Sequence, residues 1–289
     1  MAKTVPEAFA TYLGWITPTD AARAKASAHR ASIEAKLKST FGVWRMYESG
    51  SWRHGTGVGG HSDVDYFISL RTDKPAYGST VLGQVRAAMQ ERFPQTHVHV
   101  QRPAVVLEFG GGYERVELIP AFPEQKLASG AMLYAIPGVA DEWMQSAPEA
   151  HLNYVDVANN RDEVKRGAKG LARLAKSWKY ECNVPISSFY LEMRAAQYMN
   201  GERSVVWDMD LQRFLASLSS HDLADMNDPT GSSGRIKPCS SSATHRDALS
   251  KLRTAAVRAD KAVAARESDP RAALGWWDYI FGGKFPGYY

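Results

Sequence analysis

The stretch GSWRHGTGVGGHSDVDYFISL, residues 50–70, carries the clearest pattern in this chain. Its end, DVDYFISL from Asp63 to Leu70, is rich in β-branched and aromatic residues, which predicts a β-strand. Side chains alternate between the two faces of a strand, so Asp63 and Asp65 should project from the same face. Two neighbouring carboxylates repel each other unless a cation lies between them. The pattern therefore predicts a site for a hard divalent cation, above all Mg²⁺.

The start of the same stretch adds a second element. Gly50 and Ser51 follow a short apolar run, residues 43–47, that predicts another strand. A turn at the end of a strand offers backbone N–H groups, and here also a hydroxyl, to phosphate oxygens. An Asp-x-Asp pair alone also occurs on solvated strand ends, but a cation site beside a phosphate cradle indicates phosphoryl transfer.

Two other glycine-rich interpretations fail on context. Residues 55–60, GTGVGG, match the dinucleotide pattern G-x-G-x-x-G, but a predicted strand follows them where that motif needs a helix. The P-loop pattern G-x-x-x-x-G-K-[ST] does not occur in the sequence, which excludes a P-loop ATPase.

Composition narrows the class of protein. The chain has 289 residues, 44% of them hydrophobic and 23% charged, which is typical of globular chains and excludes a disordered or collagen-like protein. Its net charge of +4 is too small to indicate a nucleic-acid coat, although a local basic groove stays open. Cys182 and Cys239 have no zinc-ligand spacing. With no signal-like N-terminus and no long apolar run, we expect a cytoplasmic protein without membrane contact.

The chain divides into two halves by its secondary-structure signals. Strands are predicted over residues 43–47, 63–70, 104–109 and 113–119, the last two forming a hairpin around three glycines, Gly110 to Gly112. Helices are predicted over residues 19–40, with Asp20 as a cap, and over 79–92, 161–180, 187–200, 208–219 and 245–266. We therefore expect a first domain over residues 1–150 and a mainly helical second domain over 151–289.

At this point the motifs resemble a known family. Gly-Ser followed by paired acids is similar to the active-site signature of the DNA polymerase β-like nucleotidyltransferases. Gly50-Ser51, Gly55-Thr56 and Ser62-Asp63-Val64-Asp65 resemble, more narrowly, the oligoadenylate synthase and cyclic GMP-AMP synthase branch, and so the bacterial CD-NTases of anti-phage CBASS systems. The resemblance implies an α+β fold of two lobes, with a mixed β-sheet catalytic lobe and a mainly helical C-terminal lobe.

The resemblance also implies a third acid. Two-metal nucleotidyl transfer needs ligands for both ions, and Glu108, Glu114 and Glu117 of the hairpin are candidates. The family places its third acid just before an apolar-Pro-Ala stretch, and residues 116–121, VELIPA, fit that frame, so Glu117 is the expected ligand. Family members more often carry Asp here. The alternative is a surface pair between Glu117 and Arg115.

The resemblance continues in the second half, where AKSW (residues 175–178) and PISSFYLE (residues 185–192) are similar to the family's second-domain motif. The resemblance implies that Lys176 grips the donor triphosphate, that Ser188 bonds a phosphate and that Phe189 stacks on the base. Phe189 as a core residue stays an open alternative. One helix face should carry Lys165, Lys169 and Lys176. For Lys165 and Lys169, simple exposure to solvent without a binding role stays an open alternative. His54 stands where relatives often carry lysine.

We expect a metal-dependent enzyme that joins nucleoside triphosphates (NTPs) into a cyclic di- or trinucleotide second messenger. Two Mg²⁺ ions, with Mn²⁺ as a substitute, would be bound by Asp63, Asp65 and Glu117, and a downstream effector would recognise the product. Two alternatives remain: a polymerase β-like transferase that extends RNA or modifies a protein, and a catalytically dead nucleotide-sensing module. Direct binding of nucleic acid stays undecided.

Overall fold

A mixed β-sheet and two sets of helices make up the fold. The computed structural model describes residues 3–19, 29–61, 63–112, 114–138 and 142–288. The strands are β1 Val43–Ser49, β2 Val64–Leu70, β3 His97–Gln101, β4 Ala104–Phe109, β5 Glu114–Lys126, β6 Met132–Pro137, β7 Trp143–Ser146, β8 Met226–Asn227 and β9 Arg235–Ile236. The helices are α1 Val5–Ile16, α2 Arg30–Phe41, α3 Gly50–His54, α4 Gly78–Arg92, α5 Pro148–Asn159, α6 Gly167–Glu181, α7 Ser188–Gly201, α8 Trp207–Ser220, α9 Ser242–Ala265 and α10 Pro270–Ile280.

The first part of the chain forms a sheet of seven strands. Its order runs β1-β2-β5-β4-β3, and β6 pairs with the second half of β5 and with β7. The pair β2 and β5 is parallel, whereas the other pairs are antiparallel. The expected mixed sheet is therefore confirmed, and the long strand β5 lies at its centre between β2 and β4.

Alternation along β2 directs its side chains to the two faces of the sheet. Val64, Tyr66 and Ile68 are buried in one cluster with side chains from α2 and α4, so both helices cover this face of the sheet. Asp65 alternates with these residues and therefore projects from the opposite face. The helix-facing side of the sheet is thus buried. On its other side Asp65 lines the cleft, while Phe67 is buried in a small apolar cluster.

The second core is helical and includes the N-terminal helix. Phe9 and Tyr12 of α1 are buried in one cluster with residues of α6 to α10, and Phe9 meets Trp277 edge to face at a centroid distance of 4.9 Å. A capping box of Thr4 and Glu7 starts α1, and its apolar residues recur at helical spacing. The two-lobed, α+β architecture is confirmed, with α1 packed on the helical lobe, while the boundary at residue 150 stays a prediction.

The structure corrects several predicted bounds. The helix expected over residues 19–40 is observed as α2 from Arg30, while Thr19 lies outside a helix and residues 20–28, including the proposed cap Asp20, lie outside the described residues. Ser62 and Tyr113, which belong to predicted motifs, also lie outside them. The helix expected over 161–180 begins only at Gly167, because Arg166 adopts a left-handed conformation with φ of 67°. Lys165 therefore lies before α6 and does not continue the helix face of Lys169 and Lys176.

The sequence analysis did not predict α1, α5, α10, β3, β6 or β7, and it expected no strand in the helical half. There β8 and β9 form a small antiparallel pair around the loop of residues 228–234. In the described ranges, no helix combines the length and the apolar character needed to cross a bilayer.

Candidate active site

The structure brings the three predicted acids to one face of the sheet. Asp65 lies in β2 directly opposite Glu117 in the parallel strand β5, and Asp63 precedes β2 on the same side. Partners in register share a face, so the Asp65 and Glu117 side chains are neighbours. These residues are separated by about fifty positions in the sequence, and only the parallel pairing of β2 with β5 joins them.

The predicted Gly50 and Ser51 lie beside this acidic row, at the end of β1. The structure shows the start of the short helix α3 here, where a turn was expected. Gly50 has φ of +60°, and a Cβ atom on it would lie only 1.9 Å from Oδ2 of Asp65. Only glycine fits this close approach, because any side chain would collide with the carboxylate and require an unfavourable backbone conformation. Whether Ser51 contacts phosphate stays a prediction.

Asp65, at the centre of the acidic row, has no compensating cation beside it. Burial, together with the neighbouring charges of Glu117 and Asp63, raises the pKa of Asp65 well above its ordinary value. Burial also raises the pKa of Asp63 to about 6, although Arg115 acts in the opposite direction. Among the described side chains, no cation lies within ion-pair distance of Asp65. An added positive charge would therefore stabilise the ionised form of this row.

Arg115 occupies part of the space that such a charge would use. Its Nε lies 3.0 Å from Oδ2 of Asp63, and its Nη2 lies 2.8 Å from Oε1 of Glu117, so one guanidinium bridges two of the three acids. The surface pair between Arg115 and Glu117 that the sequence left open is present, but it is shared with Asp63. The three acids offer only oxygen atoms as ligands, and Mg²⁺ prefers oxygen ligands.

A buried polar cluster lies beside the row and joins the two lobes. Nζ of Lys176, which is 0% exposed, donates to Oε1 of Glu192 at 2.7 Å. His54 Nδ1 lies 2.9 Å from Oε2 of the same carboxylate, and the Thr56 hydroxyl donates to Oε1 at 2.6 Å. Burial would raise the pKa of Glu192, but Lys176 and His54 outweigh it and hold this pKa well below its ordinary value. Lys176 is thus already paired, and His54 has a structural partner.

The cation that faces the predicted phosphate contact is Lys179, which the sequence analysis missed. Its Nζ donates to the Ser188 hydroxyl at 2.6 Å and lies 4.8 Å from the centroid of the Tyr180 ring. Burial lowers the pKa of Lys179 to about 8. The available signal was the spacing, since a residue three positions after Lys176 on a helix lies on nearly the same face.

Phe189 lies on the wall of the cleft, half-buried, and meets His151 edge to face at a centroid distance of 4.9 Å. It also packs against the helical core, which agrees with the core interpretation of this residue, whereas its stacking on a base stays a prediction. His151 is held by Asp228, whose Oδ2 lies 3.0 Å from its Nε2.

Asp228 also organises the loop of residues 228–234. Its Oδ2 accepts hydrogen bonds from the backbone N–H and the hydroxyl of Ser233 at 2.8 and 2.7 Å. Although burial acts in the opposite direction, these bonds and His151 keep the pKa of Asp228 well below its usual range. The loop thereby brings Ser233 to the edge of the cleft.

Most of these groups line one cleft between the lobes, with a volume of about 590 Å³. This is a usual size for a site that holds a nucleotide-sized ligand. The cleft is lined on the sheet side by Ser51, Asp63, Asp65 and Glu117, and on the helical side by Lys176, Lys179, Ser188 and Phe189. The predicted site residues therefore share a single cavity. The three acids lie on its sheet side, and Lys176 and Lys179 lie on its helical side.

Comparison with protein families gives one match. The model of the Second Messenger Oligonucleotide or Dinucleotide Synthetase domain matches residues 3–159, which is more than half of the chain. None of the curated proteins compared with the chain matches it.

Solved structures with a similar fold cover nearly the whole chain. E. coli CdnC with ATP superposes with a TM-score of 0.77 at 18% identity, covering 98% of this chain and 99% of CdnC. The CD-NTase CdnG of Bradyrhizobium diazoefficiens in complex with GTP gives 0.76 at 15% identity, with 98% and 96% covered. A mutant di-nucleotide cyclase of Vibrio cholerae with ATP and GTP gives 0.76 at 13% identity, with 98% and 97% covered. At these identities the likeness establishes the fold.

Proposed function

Because this chain belongs to the second messenger oligonucleotide or dinucleotide synthetase family and is a nucleotidyltransferase, we propose that its cleft joins NTPs into a cyclic di- or trinucleotide. Pyrophosphate would leave at each transfer, and the product would act as a second messenger in anti-phage defence. The observation that carries this proposal is the row of Asp63, Asp65 and Glu117 facing the cations and the aromatic ring of the helical lobe across one cleft.

The acidic row would hold two Mg²⁺ ions, or Mn²⁺ in their place. Asp63, Asp65 and Glu117 supply only carboxylate oxygens. Burial and neighbouring acids raise the pKa values of Asp63 and Asp65, an effect that bound cations would offset. Bound ions of this type make a ribose hydroxyl more nucleophilic and neutralise the charge of the triphosphate. Glu117 is one methylene longer than the usual Asp, and Arg115 must release it before it can serve as a ligand.

The helical side would position the donor nucleotide. The Lys179 ammonium and the Ser188 hydroxyl, already joined at 2.6 Å, offer a cation and a donor for triphosphate oxygens. We assign the principal triphosphate contact to Lys179, because the Lys176 ammonium is paired with Glu192. Lys176 would then set the position of α6 beneath the triphosphate. The exposed face of Phe189 would stack on the base.

Gly50 and Ser51 would limit the distance between the triphosphate and the acids. Because Gly50 lacks a side chain, the chain after β1 can approach Asp65 closely, and the Ser51 hydroxyl lines the cleft next to it. The arrangement would hold the α-phosphate near the acceptor hydroxyl, and positioning of this kind supplies much of the catalysis in phosphoryl transfer. A second transfer, after the linear product turns in the cleft, would close the ring.

The proposal extends to the substrates and the partner of the enzyme. We propose ATP, GTP or pyrimidine NTPs as substrates and a downstream effector that binds the product. The cytoplasmic location stays a prediction from the sequence. Extension of RNA, modification of a protein and a dead sensing module are the competing functions, and the weak net charge of +4 gives the RNA-directed function no support.

Mass spectrometry of products from an equimolar mixture of four NTPs with Mg²⁺ or Mn²⁺ tests the proposal. We expect a small product that resists phosphatase, which has no free terminal phosphate to remove from a ring. Label that appears only in added RNA or in protein would replace this function with one of the macromolecular alternatives. NTP binding without any product would indicate the sensing module.

A further inference from the structure

A second cluster of metal-ligating side chains lies on the same sheet, away from the acidic row. His97 and His99 belong to the edge strand β3, and Glu108 belongs to β4, where it is the direct partner of His97. Residues two apart on a strand share a face with each other and with their cross-strand partners. One potential ligand atom from each of the three side chains lies within 4.8 Å of the other two.

The contacts within the cluster leave one nitrogen unexplained. His97 Nδ1 lies 2.8 Å from Oε2 of Glu108, and the two imidazole rings stack at a centroid distance of 4.8 Å. Nδ1 of His99 is buried and has no hydrogen-bond partner among the described residues. Buried polar atoms almost always have a partner, and a bound metal ion would supply one for this nitrogen.

We propose that His97, His99 and Glu108 bind a transition-metal ion of the Zn²⁺ class. Two neutral imidazoles and one carboxylate are a common set of protein ligands for Zn²⁺, and water can complete the tetrahedron. Ligands about 2.0–2.2 Å from one ion lie closer together than 4.8 Å, so the side chains must move inward by roughly an ångström. His97 allows this movement, since its side chain is 68% exposed at the sheet edge.

This site is chemically distinct from the acidic row. Imidazole nitrogens select Zn²⁺ and related ions, whereas the carboxylates of the acidic row select Mg²⁺. Arg115 lies between the two sites, 3.5 Å from Glu108 and 3.0 Å from Asp63. Its positive charge separates the cations, and each site can therefore be emptied without removing the ligands of the other.

Calorimetric titration of the metal-free full chain with Zn²⁺, in the presence of excess Mg²⁺, tests the assignment. We expect one Zn²⁺ per chain and a visible absorption band of tetrahedral Co²⁺ when that ion replaces it. The double variant His97→Ala with His99→Ala should bind Zn²⁺ more than about a hundredfold more weakly, since two of three protein ligands are lost. Glu108→Gln should weaken binding by about tenfold or more.

Two matched variants separate this site from other zinc ligands of the chain. His221→Ala, which removes an exposed histidine at the end of α8, should leave Zn²⁺ affinity unchanged. Asp63→Asn with Asp65→Asn should also retain the Zn²⁺ site. Circular dichroism checks that each variant is folded. Equal Zn²⁺ affinity in wild type and in the folded double histidine variant would overturn the proposal, as would the absence of Zn²⁺ binding by the wild type.

Discussion

Asp65 and Glu192 are carboxylates that line the same cleft, yet the charges that surround them have opposite signs. Glu192 is surrounded by Lys176, His54 and Thr56, and its pKa is held well below the ordinary value even though burial favours the reverse. Burial and two neighbouring acids raise the pKa of Asp65, and no described cation lies within ion-pair distance of it. One carboxylate is compensated within the protein, whereas the other is not.

The difference separates a structural group from a functional one. The buried ion pair of Lys176 and Glu192, together with His54, connects α3, α6 and α7. These contacts hold this wall of the cleft in place. A buried carboxylate without a paired cation, such as Asp65, costs folding free energy, and such groups are found where a ligand supplies the missing charge. Removing the negative charge should therefore preserve or raise the stability of the fold at Asp65 and lower it at Glu192.

Replacing Asp63 and Asp65 together by Asn should have the largest effect on activity. We expect nucleotide joining to fall by at least about ten-thousandfold, or ~5.5 kcal/mol of barrier, because the variant loses most of the anionic ligands for cations. Thermal unfolding should occur at an equal or higher temperature, because repulsion between like charges is relieved. Asp247→Asn, in an exposed helical pair, is the control. A fall in stability of the active-site variant would contradict the comparison.

Replacing Glu192 by Ala should have the largest effect on stability. The variant leaves the Lys176 ammonium buried without its counter-charge, and we expect a loss of about 3–5 kcal/mol in the free energy of unfolding. Denaturant titration measures this loss. The exposed pair of Lys251 and Asp247 gives a matched control, where Asp247→Ala should cost less than about 1 kcal/mol. Equal losses of unfolding free energy in the two variants would show that the buried pair of Lys176 and Glu192 stabilises the fold no more than an exposed pair does.

Replacing Phe189 by Ala should weaken NTP binding by about 1–3 kcal/mol, the usual contribution of one base stacked on an aromatic ring. Phe189→Leu keeps apolar volume on the helical core and removes the aromatic face. Binding measured by calorimetry should therefore fall in both variants, while unfolding should change mainly in Phe189→Ala. Unchanged NTP affinity in Phe189→Leu would assign this residue to the core alone.

The pH dependence of stability should also differ between the two regions. Asp63 has a folded-state pKa of about 6, above its ordinary value near 3.8, so the folded protein binds this proton more tightly than the unfolded chain does. The free energy of unfolding should therefore rise as pH falls from about 6 to 4, by about 1 kcal/mol after allowance for solvent screening.

Glu192 has the reverse sign. Its pKa is lowered in the folded protein, so its contribution is present above the ordinary carboxyl pKa and is lost as pH falls below that value. Denaturant titrations across this pH range should show the rise between pH 6 and 4 in wild type and not in the Asn double variant. A rise of the same size in both proteins would assign the effect to other groups.

The sequence predicted the parts of the site that depend on local pattern. The β-branched and aromatic composition predicted β2, and two-residue alternation placed Asp63 and Asp65 on one face. The glycines at 110 to 112 indicated the hairpin that contains Glu117. The resemblance selected Glu117 from three hairpin acids, and the parallel register of β2 with β5 gives it a physical reason. The roles of these residues remain predictions.

Long-range partners could not be read from local patterns. The bond from Lys176 to Glu192 crosses from α6 to α7, and the role of His54 depends on a contact with a residue 138 positions away. Arg115 entered the sequence analysis only as the alternative partner of Glu117, and its contact with Asp63 could not be predicted because that proximity arises from strand pairing. The N-terminal helix gave no motif, and its partner Trp277 lies at the other end of the sequence.

Counting bound Mn²⁺ by electron paramagnetic resonance, in the presence of a nonhydrolysable NTP, tests the central claim most directly. The acidic row should bind two Mn²⁺ per wild-type chain, and Asp65→Asn should lose this binding while remaining folded, whereas Glu192→Gln, if folded, should keep it. Retention of both ions by Asp65→Asn would contradict the assignment of the uncompensated carboxylates as the cation site.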